Sequence, residues 1–85
     1  KRLSTAELNR VIETALQNHH LPVNRGKEVR VYYSTQTDTH PPTFMLFANR
    51  PQGIVFSYRR YLAKQLSEAM GVKGIPIKLI IRKKV

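Results

Sequence analysis

The sequence predicts an α+β domain, a two-layer α/β sandwich in which two helices cover one face of a three-stranded sheet, in the order α-β-β-α-β. Two stretches repeat apolar residues at helical spacing, and three others alternate apolar and polar residues. Proline and glycine separate these stretches. Eighty-five residues make one small domain, too short for a deep cleft between two cores.

The first helix is predicted to begin at Thr5. Ser4 and Glu7 have the spacing of a capping box, in which each side chain satisfies a free amide of the other residue. Pro22 is predicted to end the helix, because proline cannot continue one. The predicted apolar face contains Leu8, Val11, Ile12, Ala15, Leu16 and His19.

The next two elements are predicted as strands that pair antiparallel. From Lys27 to Thr35 the pattern has period two, and a polar loop over 37–42 separates it from a strand over 43–48. The alternation predicts that Val29, Val31 and Tyr33 lie on one side of the first strand, and Arg30, Tyr32 and Ser34 on the other.

A second helix and a third strand complete the domain. Ser57 is the predicted N-cap, Gly71 suits the left-handed residue after the helix, and residues 77–82 alternate as a strand. If this strand lies parallel to a neighbour, the helix forms the crossover. The apolar helix face is predicted to contain Tyr58, Tyr61, Leu62, Leu66, Ala69 and Met70.

The second strand is apolar on both of its sides, over residues 44–48, although two helices cover only one face of a sheet. We therefore expect a protein partner or another domain of the parent chain to dock on the outer face, with Tyr32, Phe47 and Ile80 at the contact. The alternative is that the loop over 50–56 or the chain termini cover this face.

The charge is concentrated in the second half of the chain. The formal net charge is +10, of which residues 1–43 contribute +2 and residues 44–85 contribute +8. This asymmetry favours an anionic partner, above all the phosphates of a nucleic acid. A solubilising surface, an acidic protein and a lipid surface are the alternatives. The predicted phosphate contacts are Arg59, Arg60, Lys64, Lys73, Lys78, Arg82, Lys83 and Lys84.

The sequence indicates no enzyme, metal site or cofactor within these residues. Cysteine is absent, the five carboxylates are scattered, and no phosphate-binding GxxxxGK[ST] loop occurs. His19 and His20 are adjacent on the predicted helix, so their side chains diverge and cannot chelate one metal ion. Residues 71–74 have the GxxG spacing of a KH-domain clamp, but here the loop joins a helix to a strand, where turn glycines explain both positions.

Several blocks of sequence along the whole chain occur together in a characteristic order. They are Arg2-Leu3-Ser4-Thr5 with Leu8-Asn9, Tyr33-Ser34-Thr35-Gln36, Pro41-Pro42-Thr43-Phe44, Leu46-Phe47-Ala48-Asn49, Ser57-Tyr58-Arg59-Arg60-Tyr61-Leu62 and Gly74-Ile75-Pro76-Ile77. Together they resemble the C-terminal KH-like domain of the Der (EngA) family, bacterial ribosome assembly factors with tandem GTPase domains. The resemblance implies the predicted fold and a domain that lacks the functional GxxG loop of true KH domains. It implies a parent chain that binds GTP and Mg. It also implies contacts with ribosomal RNA and with the parent's GTPase domains.

From these observations we expect residues 1–85 to be a single non-catalytic domain from the C-terminus of a larger cytoplasmic bacterial GTPase. It would dock on GTPase domains and contact ribosomal RNA during assembly of the large subunit. The alternative is a protein-docking regulator of GTPase switching that never touches RNA. A free-standing, sequence-specific RNA binder is a weaker hypothesis, because reading single-stranded bases usually needs exposed aromatic platforms.

Overall fold

The computed structural model describes residues 2–85 and confirms the α+β class and the order α-β-β-α-β. The sheet order is β1-β2-β3; β1 and β2 pair antiparallel, whereas β2 and β3 are parallel. The elements are α1 (Thr5–Asn18), β1 (Val31–Thr39), β2 (Pro42–Ala48), a 3-10 turn (Pro51–Gly53), α2 (Phe56–Met70) and β3 (Lys78–Lys83).

Helix α1 begins as predicted and ends earlier than predicted. The Ser4 hydroxyl accepts a hydrogen bond from the backbone N–H of Glu7 at 3.1 Å, and the Glu7 carboxylate accepts from the N–H of Ser4 at 2.9 Å. The helix ends at Asn18, well before Pro22, and His19 is an extended C-cap residue. The predicted capping box is therefore present, whereas Pro22 is not the residue that stops the helix.

The first strand is displaced from its predicted bounds. Residues 27–30 are not in the ladder: the Asn49 side chain accepts from the N–H of Arg30 and donates to the carbonyl of Glu28, each at 2.8 Å. At its other end β1 continues to Thr39, which pairs with Pro42. The hairpin connection is therefore much shorter than the predicted loop over 37–42.

A bulge in β1 overturns the predicted sidedness of this strand. Val31 pairs with Ala48, and Tyr33 pairs with the preceding residue, Phe47, so that Tyr32 has no partner. The extra residue changes the phase of the alternation. Val31 packs against the core, but Tyr33 lies on the opposite face, and Ser34 is buried.

Helix α2 begins one residue before the predicted cap. Val55 is the N-cap and makes no side-chain cap hydrogen bond, so the prediction that Ser57 caps the helix is wrong. At the other end Gly71 has φ of 70°, the left-handed conformation that its position predicts. After this glycine the chain returns to the sheet as β3, one residue later than predicted.

The core lies between the helices and the inner face of the sheet. Its inner sheet residues are Phe44, Leu46 and Ala48, and the buried polar residues Ser34 and Gln36 lie beside them on β1. Ile54, from the loop after β2, is also buried in this core. Helix residues that complete it include Leu8, Ile12, Ala15, Tyr58, Leu62, Leu66 and Met70, whereas Ala69, predicted for this face, is exposed.

Candidate functional site

The predicted RNA-binding cations do not form one surface. On β3, Leu79 and Ile81 pair with the buried residues Phe44 and Leu46 and so face the core. The alternating residues Lys78, Ile80 and Arg82 therefore face away from the helices. Arg60 and Lys64, in contrast, are exposed on α2, in the opposite layer of the sandwich. The structure thus separates the basic side chains into a sheet group and a helix group.

The outer sheet face has an apolar centre with aromatic and basic side chains around it. The rings of Tyr33 and Phe47 stack with centroids 4.6 Å apart and planes inclined by 24°. Met45 and Ile80, which pair across β2 and β3, are half-buried beside them. Tyr33 is 45% exposed, so residues 2–85 leave much of its side chain uncovered.

The predicted docking residues Phe47 and Ile80 share this outer sheet face, and Tyr32 lies at its margin. Tyr32 is the extra residue of the bulge and is 47% exposed. Lys84 follows β3, and its ammonium lies 5.5 Å from the centroid of the Tyr32 ring. Sequence reasoning misses Tyr33 here because a bulge has no signature in an alternating pattern.

The exposed face of α2 forms a short stripe of an aromatic residue and two cations. Phe56, Arg60 and Lys64 are spaced four residues apart, which places them on one side of the helix. The Arg60 guanidinium carbon lies 5.9 Å from the centroid of the Phe56 ring. These three residues are named the α2 stripe. The sequence does not reveal Phe56 as its first member, because a cap at Ser57 would leave Phe56 outside the helix.

Arg59 has a structural role that the other predicted cations do not share. Its guanidinium donates to the backbone carbonyls of Pro51 and Ile54, and the bond to Pro51 is 2.9 Å long. These carbonyls belong to the segment that leads into α2. Arg59 therefore ties the first turn of α2 to the segment before it.

The GxxG segment is a helix terminus followed by a turn. Gly71 and Gly74 both have positive φ, and Ser67 bonds the backbone of Val72 in both directions: its carbonyl accepts from the Val72 N–H, and its hydroxyl donates to the Val72 carbonyl. Lys73 is exposed between the two glycines. The segment therefore serves to end the helix, in agreement with the explanation by turn glycines.

No carboxylate neutralises the eight predicted cations in the part of the chain that the structure describes. The ion pair found there joins Arg30 to Glu28 at 3.7 Å, on exposed side chains of the first half. Residues 2–85 contain no group of three or more His, Cys, Asp or Glu side chains that could hold a metal ion. No helix in that range is long and apolar enough to cross a bilayer.

Comparison with known proteins identifies the family. Residues 2–82 match the family model described as the KH-domain-like domain of EngA bacterial GTPase enzymes, C-terminal. The chain is 49% identical over 82 residues to GTPase Der of Geobacter metallireducens and 48% identical over 84 residues to that of Natranaerobius thermophilus. These alignments cover 96% and 99% of the chain but 19% of each relative. The chain belongs to the C-terminal KH-like family of EngA GTPases, and the domain itself is the KH-like part and not the GTPase.

Proposed function

We propose that this chain is the non-catalytic C-terminal domain of a larger cytoplasmic bacterial GTPase and that it serves ribosome assembly. It contacts ribosomal RNA and docks on the GTPase domains of its parent, where GTP and Mg bind. The observation that carries the proposal is the separation of two unlike surfaces. One is the apolar, aromatic outer face of the sheet, and the other is the basic side of α2 in the opposite layer.

The outer sheet face is the proposed docking surface. Phe47 and Ile80 give it an apolar centre, and Tyr33 adds a stacked ring. Aromatic and aliphatic side chains that exclude water at their centre are typical of protein interfaces. Three cations border this surface, and they can contact RNA only if a docked domain leaves them exposed. They are Lys78, Arg82 and Lys84.

The helix side is the proposed RNA surface, with Arg60 and Lys64 as its first contacts and Lys73 nearby in sequence. These side chains are exposed and free of ion pairs within residues 2–85, so they can displace counterions from phosphates. Lys83 is also exposed and alternates with the outer-face cations of β3. Arg59 is the weakest member of the set, because its guanidinium already donates to two carbonyls.

The test is the affinity of the domain for large-subunit ribosomal RNA across a salt series, with random RNA of equal length as competitor. The double variant Arg60→Glu/Lys64→Glu should bind more weakly and with a shallower salt dependence. For single-stranded RNA, the log–log slope should fall by about 0.7 for each phosphate that no longer meets a cation. The matched control Arg10→Glu/Lys27→Glu changes the net charge equally but lies outside the predicted set. Equal weakening in both variants would mean that the charge acts without a defined site.

The second candidate function is a purely protein-docking regulator of GTPase switching, favoured by the apolar centre of the outer sheet face. In that case Phe47→Asp or Ile80→Asp, made in the full-length parent, would alter its GTPase rate and domain orientation, and Arg60→Glu/Lys64→Glu would alter neither. The proposed dual function expects the sheet variants to change docking and the helix variants to change RNA affinity.

A further inference from the structure

Phe56 is a large aromatic residue that folding leaves in water. It is the first residue of α2 and is 74% exposed, whereas Phe44 is fully buried and Phe47 is half-buried. Burial of a Phe side chain stabilises a fold, and in this domain Phe56 gains little of that stabilisation. Its neighbour Val55 is also 50% exposed. The start of α2 therefore carries apolar surface that the fold does not use.

The surroundings of this ring are basic. Arg60 lies over it at 5.9 Å, and Lys64 follows one turn later on the same side of the helix. The first turn of α2 contains no acidic residue, and the first carboxylate along the helix is that of Glu68. A ligand that fits the stripe must bring negative charge to two cations and a flat or apolar group to one ring.

We propose that Phe56 is a stacking platform for an unpaired base of single-stranded RNA, with Arg60 and Lys64 holding the phosphates of the same strand. The inference rests on the proposed RNA contact of α2 and deepens it by naming the form of the RNA. A nucleotide supplies both required features, because every base has a π-face and is linked to an anionic backbone. A base pair inside a duplex offers no free face to the ring, so double-stranded RNA should gain nothing from Phe56.

An acidic peptide is the less suitable occupant of the same stripe. Its carboxylates would satisfy Arg60 and Lys64, but they would pull the guanidinium toward the peptide and leave the ring without a partner. A stacked base instead covers the ring while its phosphates lie at the cations. A nucleic acid therefore uses the ring and the two cations together in every nucleotide, whatever its sequence.

The absence of Trp from the chain makes a direct test possible. Phe56→Trp introduces a single indole, whose fluorescence should be quenched as an unstructured oligoribonucleotide is titrated in. Val23→Trp is the matched control, because Val23 is 67% exposed and lies in the connection before β1. Saturable quenching at position 56 and none at position 23 is the expected result. A hairpin duplex of the same composition should produce little quenching at either position.

The affinity measurement uses Phe56→Ala, which should weaken binding of the single strand by about 5- to 140-fold. Duplex binding should stay within about twofold, and Val55→Ala should change neither affinity. If Phe56→Ala binds the single strand as the parent chain does while Arg60→Glu/Lys64→Glu binds weakly, stacking is refuted and the basic RNA contact survives. If the unmodified chain binds no RNA, the proposed function fails first. An effect of Phe56→Ala on GTPase-domain docking alone would assign the ring to a protein and overturn the inference.

Discussion

The side-chain carbonyl of Asn9 in α1 accepts two hydrogen bonds from Ser34 in β1. One comes from the backbone N–H at 3.0 Å and the other from the hydroxyl at 2.8 Å. Ser34 is 1% exposed, so water cannot replace either bond. Since β1 is an edge strand, Asn9 also covers a backbone donor that would otherwise face outward from the sheet.

Asn9→Ala should therefore lower the free energy of unfolding by about 1–3 kcal/mol, because two buried donors are left without their acceptor. Ser34→Ala should cost less, since it removes the hydroxyl and leaves the backbone bond to Asn9 in place. Urea denaturation of the two variants and the double variant gives the comparison. Additive effects would show that the two side chains do not act as one unit.

Arg59→Ala should affect stability more than RNA binding. Its guanidinium donates to two loop carbonyls, and hydrogen bonds to charged groups contribute about 1.5–3 kcal/mol. Arg60→Ala is the control, since its side chain is exposed and only lies over a ring. Thermal unfolding should give Arg59→Ala the lower melting temperature. RNA binding should give Arg60→Ala the lower affinity. A lower melting temperature for Arg60→Ala than for Arg59→Ala would contradict this assignment.

Gly53→Ala should destabilise the domain because there is no room for a methyl group. A Cβ at this position would lie 2.6 Å from Cγ2 of Val29 and 3.0 Å from Cβ of Asn24. Overpacking of this kind typically costs about 1–3 kcal/mol. Trimming Val29 should relieve part of the clash, so Gly53→Ala/Val29→Ala should be more stable than the sum of the two single effects predicts. Full additivity in urea denaturation would rule out the clash with Val29 as the cause.

Tyr58 should make the fold sensitive to alkaline pH. Burial, and to a smaller extent the neighbouring Tyr61, raise the pKa of Tyr58 to about 12, against about 10 for an unperturbed tyrosine. The folded state holds this proton more tightly than the unfolded state does. The contribution of the raised pKa to the free energy of unfolding is therefore fully present below about pH 10 and is lost as the pH rises toward 12.

The hydroxyl of Tyr58 donates to the carbonyl of His19, so Tyr58→Phe also removes a hydrogen bond at neutral pH, worth about 0.5–1.5 kcal/mol. Melting temperatures of both proteins should be measured from about pH 8 to 12, because the difference between the two proteins isolates the contribution of Tyr58. That difference should shrink above about pH 10. A constant difference would exclude Tyr58 ionisation as the cause.

The order of elements is predictable from the sequence because each element carries a local signal. The capping box at Ser4 and Glu7 and the left-handed Gly71 depend on residues within one turn, and both are present. The sidedness of β1 is not predictable in this way. Whether Tyr33 faces the core depends on its partner on β2, and a single unpaired residue reverses the alternation.

The candidate surfaces are predictable in composition and not in arrangement. The basic second half is evident from the sequence, but the division of its cations between the two layers follows from the pairing of β3 with β2. Phe56 escapes sequence reasoning because Ser57 is the residue type that usually caps a helix. The helix starts at Phe56 instead, and the Arg59 side chain bonds the segment before it, a contact that has no signature in the sequence.

The bulge at Tyr32 also determines where the domain can change in length. Deleting Tyr32 would leave Val31 and Tyr33 adjacent and opposite Ala48 and Phe47, the residues with which they already pair. Thr37 has the same position at the second irregularity of the strand, between Gln36 and Asp38. Between these two sites, deleting one residue would turn part of the strand over and exchange its buried and exposed side chains. Insertions and deletions among related chains should therefore collect at positions 32 and 37 and avoid the segment between them.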